Sequence, residues 1–479
     1  MRIKSLSCLL LLAAFASCND KLCLENETGD EASLIPITRA AGDAQYDVLG
    51  FGYDIMGDYL NPMSVRNPVI DIEKYNSERP RRVIIGTATS GSDKLYYGAN
   101  SADYIEEITN ECKVGGSVGG LKIGKNAFSG SISYNQNFKS REEYSSKYSF
   151  ASLDAVRTLK YLRINDEAES IADYLTPEFL EDVDRLSPER LVERYGTHVL
   201  TDISIGGRYR LLFRSIIEKT ANRSEKKEIV KAGLDATIKG INLKVDGENS
   251  HETITNRANE NQHKELFVMF YGGTGTCLKY DLEKGLPSSI DISGWESKVS
   301  LNNSNLTNIN WKETLPLHYF IKDPQKKQQV KNAIERYIED HSLSMIEVEP
   351  FYCYYSAKYV NHSYFTEWKG EHFNTDDYLE TTCYLPSKYE PGAVPLYRYY
   401  SAKYVNHSYF TEYKGQHFNT DDYQGIAGYI FKTQKPGTVP LYAYYSAKYV
   451  NHSYFAKYKG QHFNTDDCLG IIGYVYPAD

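Results

Sequence analysis

The sequence is poor in the features that mark most enzymes and nucleic-acid binders. No nucleophile elbow, P-loop, HExxH or dinucleotide fingerprint occurs, so no residue set is marked for catalysis and no enzyme is expected. Among the eight cysteines there is no CxxC spacing, which leaves no zinc signature; neither a metal nor a cofactor is expected. Positive charge is not in excess. The formal net charge is −9, and without dense Lys and Arg clusters to neutralise phosphates, nucleic acid is excluded as a partner. After residue 18 no apolar run approaches the roughly 20 residues of a spanning helix. A chain crosses hydrocarbon only as a helix or as a closed barrel, so any membrane role has to run through strands.

What is present begins with an export signal. Arg2 and Lys4 precede an apolar run from Leu9 to Phe15 and then Ala16-Ser17-Cys18, the pattern of a signal peptide. A cysteine after small residues resembles a bacterial lipobox, with Phe15 where leucine is more usual. This implies lipidation at Cys18 and an exported lipoprotein of the outer membrane or cell surface, or one released from it; an ordinary secretory signal is the alternative. Residues 19–44 read as a flexible tether. Export permits disulfides, and Cys353 with Cys383 is the expected pair, since both lie in one repeat and both are replaced in the next.

At 479 residues the chain has room for two or three domains. The first, over 45–345, is organised around Tyr195-Gly196-Thr197-His198 and the later Gly206-Gly207. Ser187-Pro188-Glu189 predicts a helix start, with a hydroxyl cap and proline at the first position, running to about Tyr195. Gly196 suits a left-handed cap, and Val199, Thr201, Ile203 and Ile205 share one face of a strand that breaks at the glycine pair. His198 and Asp202 lie on one face but about 13 Å apart along a strand, so His198 is read as a buried structural imidazole and not as a base.

Tyr-Gly-Thr-His with a nearby Gly-Gly resembles the signature of the membrane attack complex/perforin (MACPF) superfamily. The resemblance implies an α+β domain with a bent, twisted central antiparallel sheet flanked by helical clusters. Two period-two stretches flank the signature. In the first, after Val118, one face carries Phe128, Gly130, Ile132 and Tyr134. In the second it carries Ala232, Leu234, Ala236 and Ile238, slipping at Gly240 to Ile241, Leu243 and Val245. Half-buried strands would read the same way. The resemblance implies instead that residues near 112–140 and 225–262 are stored as helices and refold into membrane-inserting hairpins. Between them, Arg141 to Arg185 reads as polar and helix-prone. A last helix is predicted from the Asp323 cap and Pro324, with Val330, Ala333, Ile334, Tyr337 and Ile338 on one face.

From Phe351 the chain repeats with a period of 45 residues. Tyr355-Ser356-Ala357-Lys358-Tyr359-Val360-Asn361-His362 recurs from Tyr400 and Tyr445, and 24 of the 42 tyrosines lie in these last 129 residues. Three units of about four strands predict an all-β domain over 346–479 closed like a β-trefoil. The tail also resembles a repeat of secreted bacterial proteins. Each copy contains His-Phe-Asn-Thr-Asp-Asp, which offers His372 with Asp376, His417 with Asp421 and His462 with Asp466 as sugar-binding groups. Recent duplication would also explain their recurrence, and metal binding by His362, His372 and Asp376 lacks a ligand spacing.

Together these readings predict an antimicrobial pore-forming toxin of a bacterium. Its tail would bind a surface glycan or protein receptor on the target-cell membrane, and its subunits would assemble into a ring. A non-lytic adhesin or glycan-binding lipoprotein on the same scaffold is the alternative.

Overall fold

The computed structural model describes residues 24–25, 45–114, 116–118, 120–124, 127–132, 146–241, 256–273, 276–287, 290–343 and 345–478. Cys18, Tyr134, Leu243 and Val245 lie outside the described residues, as does most of the expected tether.

Six strands carry the first domain: β1 (Val83–Thr87), β2 (Gly91–Gly98), β3 (Tyr148–Ile164), β4 (Asp202–Ile216), β5 (Gln262–Tyr271) and β6 (Thr276–Asp281). β3 and β4 form the antiparallel centre; β5 and β6 extend it on one side, and β1 and β2 share the far edge of β3. Asn305–Ile309 pairs with the start of β4, and Leu24–Glu25 pairs parallel with β6. The sheet has a corner. Ile205 faces Lys160 while Gly206 faces Thr158, so one residue of β3 bulges out and the ladder turns. β4 therefore does not break at the glycine pair as expected; it continues through it. Gly206 is required there because a Cβ would sit 2.0 Å from the Arg157 carbonyl oxygen.

Above the corner the sheet buries both faces. Phe150, Leu212, Phe267 and Met269 belong to the main core, joined by Tyr104, Ile105 and Ile108 of helix α1 (Ser101–Glu111). Residues of the opposite parity, among them Leu153, Leu211, Phe213, Leu266 and Val268, pack against helix α3 (Arg223–Gly240). Between these lies α2 (Pro188–Tyr195), and the domain closes with α4 (Pro324–Asp340), whose Val330, Ala333, Ile334 and Ile338 are buried as expected. Among the described residues no helix is long and apolar enough to cross a membrane.

Two expectations are corrected here. Arg141–Arg185 is not mainly helical, because 17 of its residues form β3. Its polar character hides a central strand, in which Asp154 and Lys160 are buried and paired with Arg210 and Asp47. Cys353 and Cys383 are both free and buried. In the ladder Cys353 faces Glu380 and Cys383 faces Phe351, so the two cysteines are displaced by two residues along one strand and three along the bulged other, about 7–10 Å before the strand separation is added, beyond disulfide reach.

The tail is all β, with four strands in each of three copies: 348–356, 361–365, 372–373 and 376–386 in the first, and their equivalents in the others. Within a copy the first strand pairs with the second and fourth, and the third with the fourth. The copies meet about a pseudo-threefold axis. Tyr364, Tyr409 and Tyr454 ring it, their hydroxyls donating to the carbonyls of Tyr454, Tyr364 and Tyr409 respectively, each in the preceding copy around the ring. Further out, Asn361, Asn406 and Asn451 donate to the carbonyls of Val405, Val450 and Val360. Those valines sit at φ of 54, 51 and 53° respectively, a conformation costly for a β-branched residue and held here by the ring of amides.

Candidate functional site

The signature forms a joint between a helix and two sheets. Ser187 caps α2 by accepting from the Arg190 amide, and Gly196 ends it at φ 76°. Tyr195 is anchored by its hydroxyl, which donates to Asp182 at 2.8 Å, and by edge-on contact with Phe179. The next residues join a small sheet. His198 faces both Tyr53 and Pro316, while Val199 faces Gly52 and Leu315. Thr197 fastens the crossing: its amide and hydroxyl both donate to the Tyr53 carbonyl, and its Oγ1 accepts from the Ile55 amide.

The crossing is backbone on backbone. A Cβ on Gly52 would lie 1.8 Å from the Tyr195 oxygen, and one on Gly196 would lie 2.5 Å from the Tyr53 oxygen. Phe51-Gly52-Tyr53 is thus half of the joint, which sequence reasoning missed; its one signal was the glycine between aromatics. His198 is fully buried with Nδ1 2.9 Å from the Thr197 hydroxyl and its ring edge-on to Trp311. Burial, and then the neighbouring His318, push its pKa down to about 3. Asp202 is engaged by Asn310 and Arg163 instead. The imidazole is a packed, neutral strut.

Just beyond the glycine pair lies a charge network that the sequence alone did not single out. Arg210 grips Asp154 through Nε and Nη2, at 2.8 and 2.7 Å, and reaches Asp58 at 2.8 Å. Arg208, fully buried, donates to the Tyr59 carbonyl and stacks 4.1 Å from the Tyr271 ring centre. Alternation along Arg208-Tyr209-Arg210 was the signal, since both arginines project to the face opposite Tyr209. Gly207 lies on the face opposite the arginines, with Trp295 2.8 Å from its would-be Cβ.

The segments expected to insert are packed against the sheet, and their secondary structure differs from the period-two reading. Residues 232–240 are the end of α3, not a strand. Leu234, Ile238 and Ile241 are buried and Ala236 half-buried, because Ile229, Val230, Gly233, Leu234, Thr237 and Ile238 recur at spacings of three and four on one face. Phe128–Ile132 is not an alternating strand either. Ser129–Ile132 is a single 3-10 turn with all four residues buried, and Phe128 turns into the core at φ 62°. Val118 is buried in the short hairpin of Gly116–Val118 with Leu121–Gly124. The second segment is thus helical over its described first part, as the resemblance implies, whereas the described residues of 112–140 form a hairpin and a 3-10 turn, and the neighbouring helix α1 ends before them at Glu111.

These segments are joined to the sheet in the same way. The connection that begins with α1, residues 99–147, links β2 to β3, which are antiparallel neighbours with Gly98 opposite Phe150. The connection that contains α3, residues 217–261, links β4 to β5, again antiparallel neighbours, with Ile216 opposite Gln262. Ile216 also faces Tyr148, so both connections spring from one end of four contiguous strands. The two helices clasp each other across the edge. Arg223 pairs with Asp103 through Nε at 3.2 Å and through Nη2, and Lys227 lies 3.9 Å from Glu107.

In the tail, His372, His417 and His462 are highly exposed and each pairs through Nδ1 with an aspartate at 2.5–2.6 Å. The partner is Asp377, Asp422 or Asp467, the second aspartate of each Asp-Asp pair, while the candidate sugar-binding Asp376, Asp421 and Asp466 are the first. The first aspartate of each pair turns inward on the hairpin, where Asp421 and Asp466 accept from Ser408 and Ser453. The tail faces the body: Tyr384 of the first copy donates to Glu218 at 2.9 Å, and Ile216 shares one cluster with Tyr384, with Phe431 of the second copy and with Tyr476 of the third.

A cornered antiparallel sheet, helical connections springing from one end of it and an appended threefold β domain define a two-part architecture. The chain belongs to the MACPF family: the MAC/Perforin domain model matches residues 38–347. Among solved structures, a MAC/Perforin-domain protein from Bacteroides thetaiotaomicron VPI-5482 is similar at 18% identity and TM-score 0.51, covering 72% of this chain and 71% of its own. GNIP1Aa from Chromobacterium piscinae gives 15% identity and TM-score 0.47 over 88% of this chain and 81% of its own. Wild-type pneumolysin gives 10% identity and TM-score 0.23 over 51% and 45%. No curated protein sequence matches the chain.

Proposed function

We propose that the chain is a pore-forming protein, exported as a lipoprotein through Cys18 and directed against other bacteria. The observation that carries this reading is the pair of helical connections, each linking antiparallel neighbours at the same end of β2-β3-β4-β5. If each connection extends, the four strands lengthen in register without any new pairing inside the subunit. Between Gly98 and Tyr148 there are 49 residues, and between Ile216 and Gln262 there are 45. Arms of more than 20 residues exceed the roughly 9–11 that a barrel strand needs to span a bilayer. A lone subunit would leave open edges in hydrocarbon, so insertion requires a closed ring of subunits. The tail supplies recognition of a glycan or protein on the target surface, through repeated His–Asp pairs and tyrosines presented three times. No catalytic step is needed.

Dye release from vesicles of bacterial total-lipid extract tests the reading. Leakage with a steep dependence on protein concentration is expected. Binding to susceptible cells without leakage from any vesicle would sink the pore and leave a non-lytic adhesin on the same scaffold.

A further inference from the structure

The three repeats are near-copies, yet the fold places one of them differently. In the first copy Tyr352, Trp368 and Tyr378 form a three-ring cluster, with centroids 5.3, 4.7 and 6.3 Å apart. The body fills it. Lys219 Nζ lies 5.6 Å from the Trp368 ring centre and 2.7 Å from the Glu371 carboxylate, while the Tyr352 hydroxyl donates to the Glu218 carbonyl. An ammonium over aromatic faces, with a peptide carbonyl held beside it, is the occupant the fold itself displays.

The second copy has the same cluster in Tyr397, Tyr413 and Tyr423, with centroids 5.6, 5.2 and 6.2 Å apart. Among the described residues nothing fills it: Tyr413 is 51% exposed, and none of their cations lies over these rings. The third copy keeps two rings, Tyr442 and Tyr458 at 5.2 Å, with Cys468 in place of the third. The differences between copies track the docking. Only the docked copy has Trp368 and Glu371; the open ones have Tyr413 with Gln416 and Tyr458 with Gln461.

We infer that the ring cluster of the second copy, and more weakly that of the third, is an open socket for a lysine side chain of a partner protein. The inference rests on the tail being the recognition module. Tyr397 stands where Tyr352 takes a backbone carbonyl, which a peptide offers beside its lysine and a lipid headgroup does not. Gln416 in place of Glu371 removes the ion pair, so each socket is weak and reversible. Two on one tail gain by avidity on a surface that repeats the lysine.

The test uses the full chain and a capped peptide with the sequence of residues 215–221, Ser-Ile-Ile-Glu-Lys-Thr-Ala, whose lysine is Lys219 in the intact protein. The first-copy site already holds its own segment, so titration reports the other two. Saturable binding is expected, about tenfold weaker when norleucine replaces the lysine and when Tyr413→Ala and Tyr458→Ala are combined. Both tyrosines are half exposed, and an unchanged melting temperature confirms that the variant folds. Equal binding by the norleucine peptide, equal binding by the variant, or no saturable binding overturns the inference. Capture by phosphatidylethanolamine vesicles that the variant loses, without peptide binding, overturns it in favour of a lipid amine. Peptide binding with no binding of the full chain to target cells leaves the socket standing and refutes the recognition role of the tail.

Discussion

A crosslink between α3 and the start of β5 separates the packed form from the extended one. A Cβ on Gly233 would lie 2.8 Å from Asn261 Cγ; adding a bond of about 1.5 Å puts the two β-carbons within about 4.3 Å, inside the disulfide range. The variant is Gly233→Cys with Asn261→Cys. It gives up the bonds Asn261 makes with Ser215, at 2.6 Å, and with the Ile229 carbonyl, at 2.9 Å, about 1–3 kcal/mol for each buried group left alone. The Phe213 ring, 2.8 Å from the new Cβ, also has to shift. Closing a loop of 261 − 233 = 28 residues returns about 3–4 kcal/mol, so the oxidised protein stays folded. In the extended form the geometry is irreconcilable. Ile216 faces Gln262, and continuing that ladder puts position 233 opposite 245 and position 261 opposite 217. The two cysteines would then stand sixteen rungs apart, about 50 Å. Oxidised protein should bind target membranes and release no dye, and reductant should restore release to the rate of the single-cysteine controls. Equal leakage from the oxidised and reduced forms would refute the unfurling of residues 217–261.

Gly52→Ala drives a methyl into the Tyr195 carbonyl oxygen at 1.8 Å. It should cost at least about 3 kcal/mol of stability in urea unfolding, beyond ordinary overpacking, and a loss under 1 kcal/mol would show that the joint is loose. His198 is neutral when folded and its folded pKa is pushed down to about 3. The unfolded chain takes up that proton first, so stability is whole above about pH 6.5 and falls as the pH drops toward the folded value. At pH 4.5 this one group removes about 2–3 kcal/mol, and His198→Asn should flatten the acid limb of the urea midpoint; an unchanged slope would show that other groups set it. Replacing His372, His417 and His462 together by alanine should weaken cell binding and leave the melting temperature unaltered, since all three are exposed. Undiminished binding would leave duplication as their whole explanation.

Much of the joint was legible, because its rules are local. The Ser187 cap, Pro188, the left-handed Gly196 and the face of α4 are each dictated by a few neighbouring residues. The repeat was legible from identity alone. β3 was not, because a central strand buried on both faces shows no alternation and its charges are paired far along the chain, Asp154 with Arg210 and Lys160 with Asp47. α3 misled in another way. Ala232, Leu234, Ala236 and Ile238 alternate, yet Ile229, Val230, Leu234 and Ile238 also satisfy a helical face, and packing on Leu211 and Phe213 decides between them. One sequence that satisfies both periods is what a segment with two conformations requires. Which of the two adjacent aspartates faces each histidine was not legible, since only the hairpin register pairs His372, His417 and His462 with Asp377, Asp422 and Asp467.

The place where the tail docks bears on how insertion would start. Ser146 and Lys147, at the root of β3, bond to the Val348 and Pro477 carbonyls of the tail; Glu218 and Lys219, just past the end of β4, hold Tyr384 and Glu371. Both helical connections thus leave the sheet beneath the tail. α3 is held further by Arg223 and Lys227 on Asp103 and Glu107 of α1, so neither helix can lift without loosening the other. In these pairs Asp103 is buried but Arg223 is largely exposed, and Lys227 and Glu107 are partly exposed, so solvent screens them and they contribute modestly, whereas the apolar face of α3 buries Ile229, Val230, Leu234 and Ile238, about 1.5–3 kcal/mol each. Release therefore needs several kcal/mol. A ligand can supply it only by binding the released form more tightly than the packed one. Contact with a membrane that the extended strands enter meets that condition; contact of the open repeats alone does not, unless it also pulls the first copy from Glu218. Glu218→Ala distinguishes the two routes. It removes the hydrogen bond to Tyr384 without touching the open repeats, so faster leakage at unchanged cell binding would make tail docking a brake, and unchanged leakage would assign the whole barrier to α1 and α3.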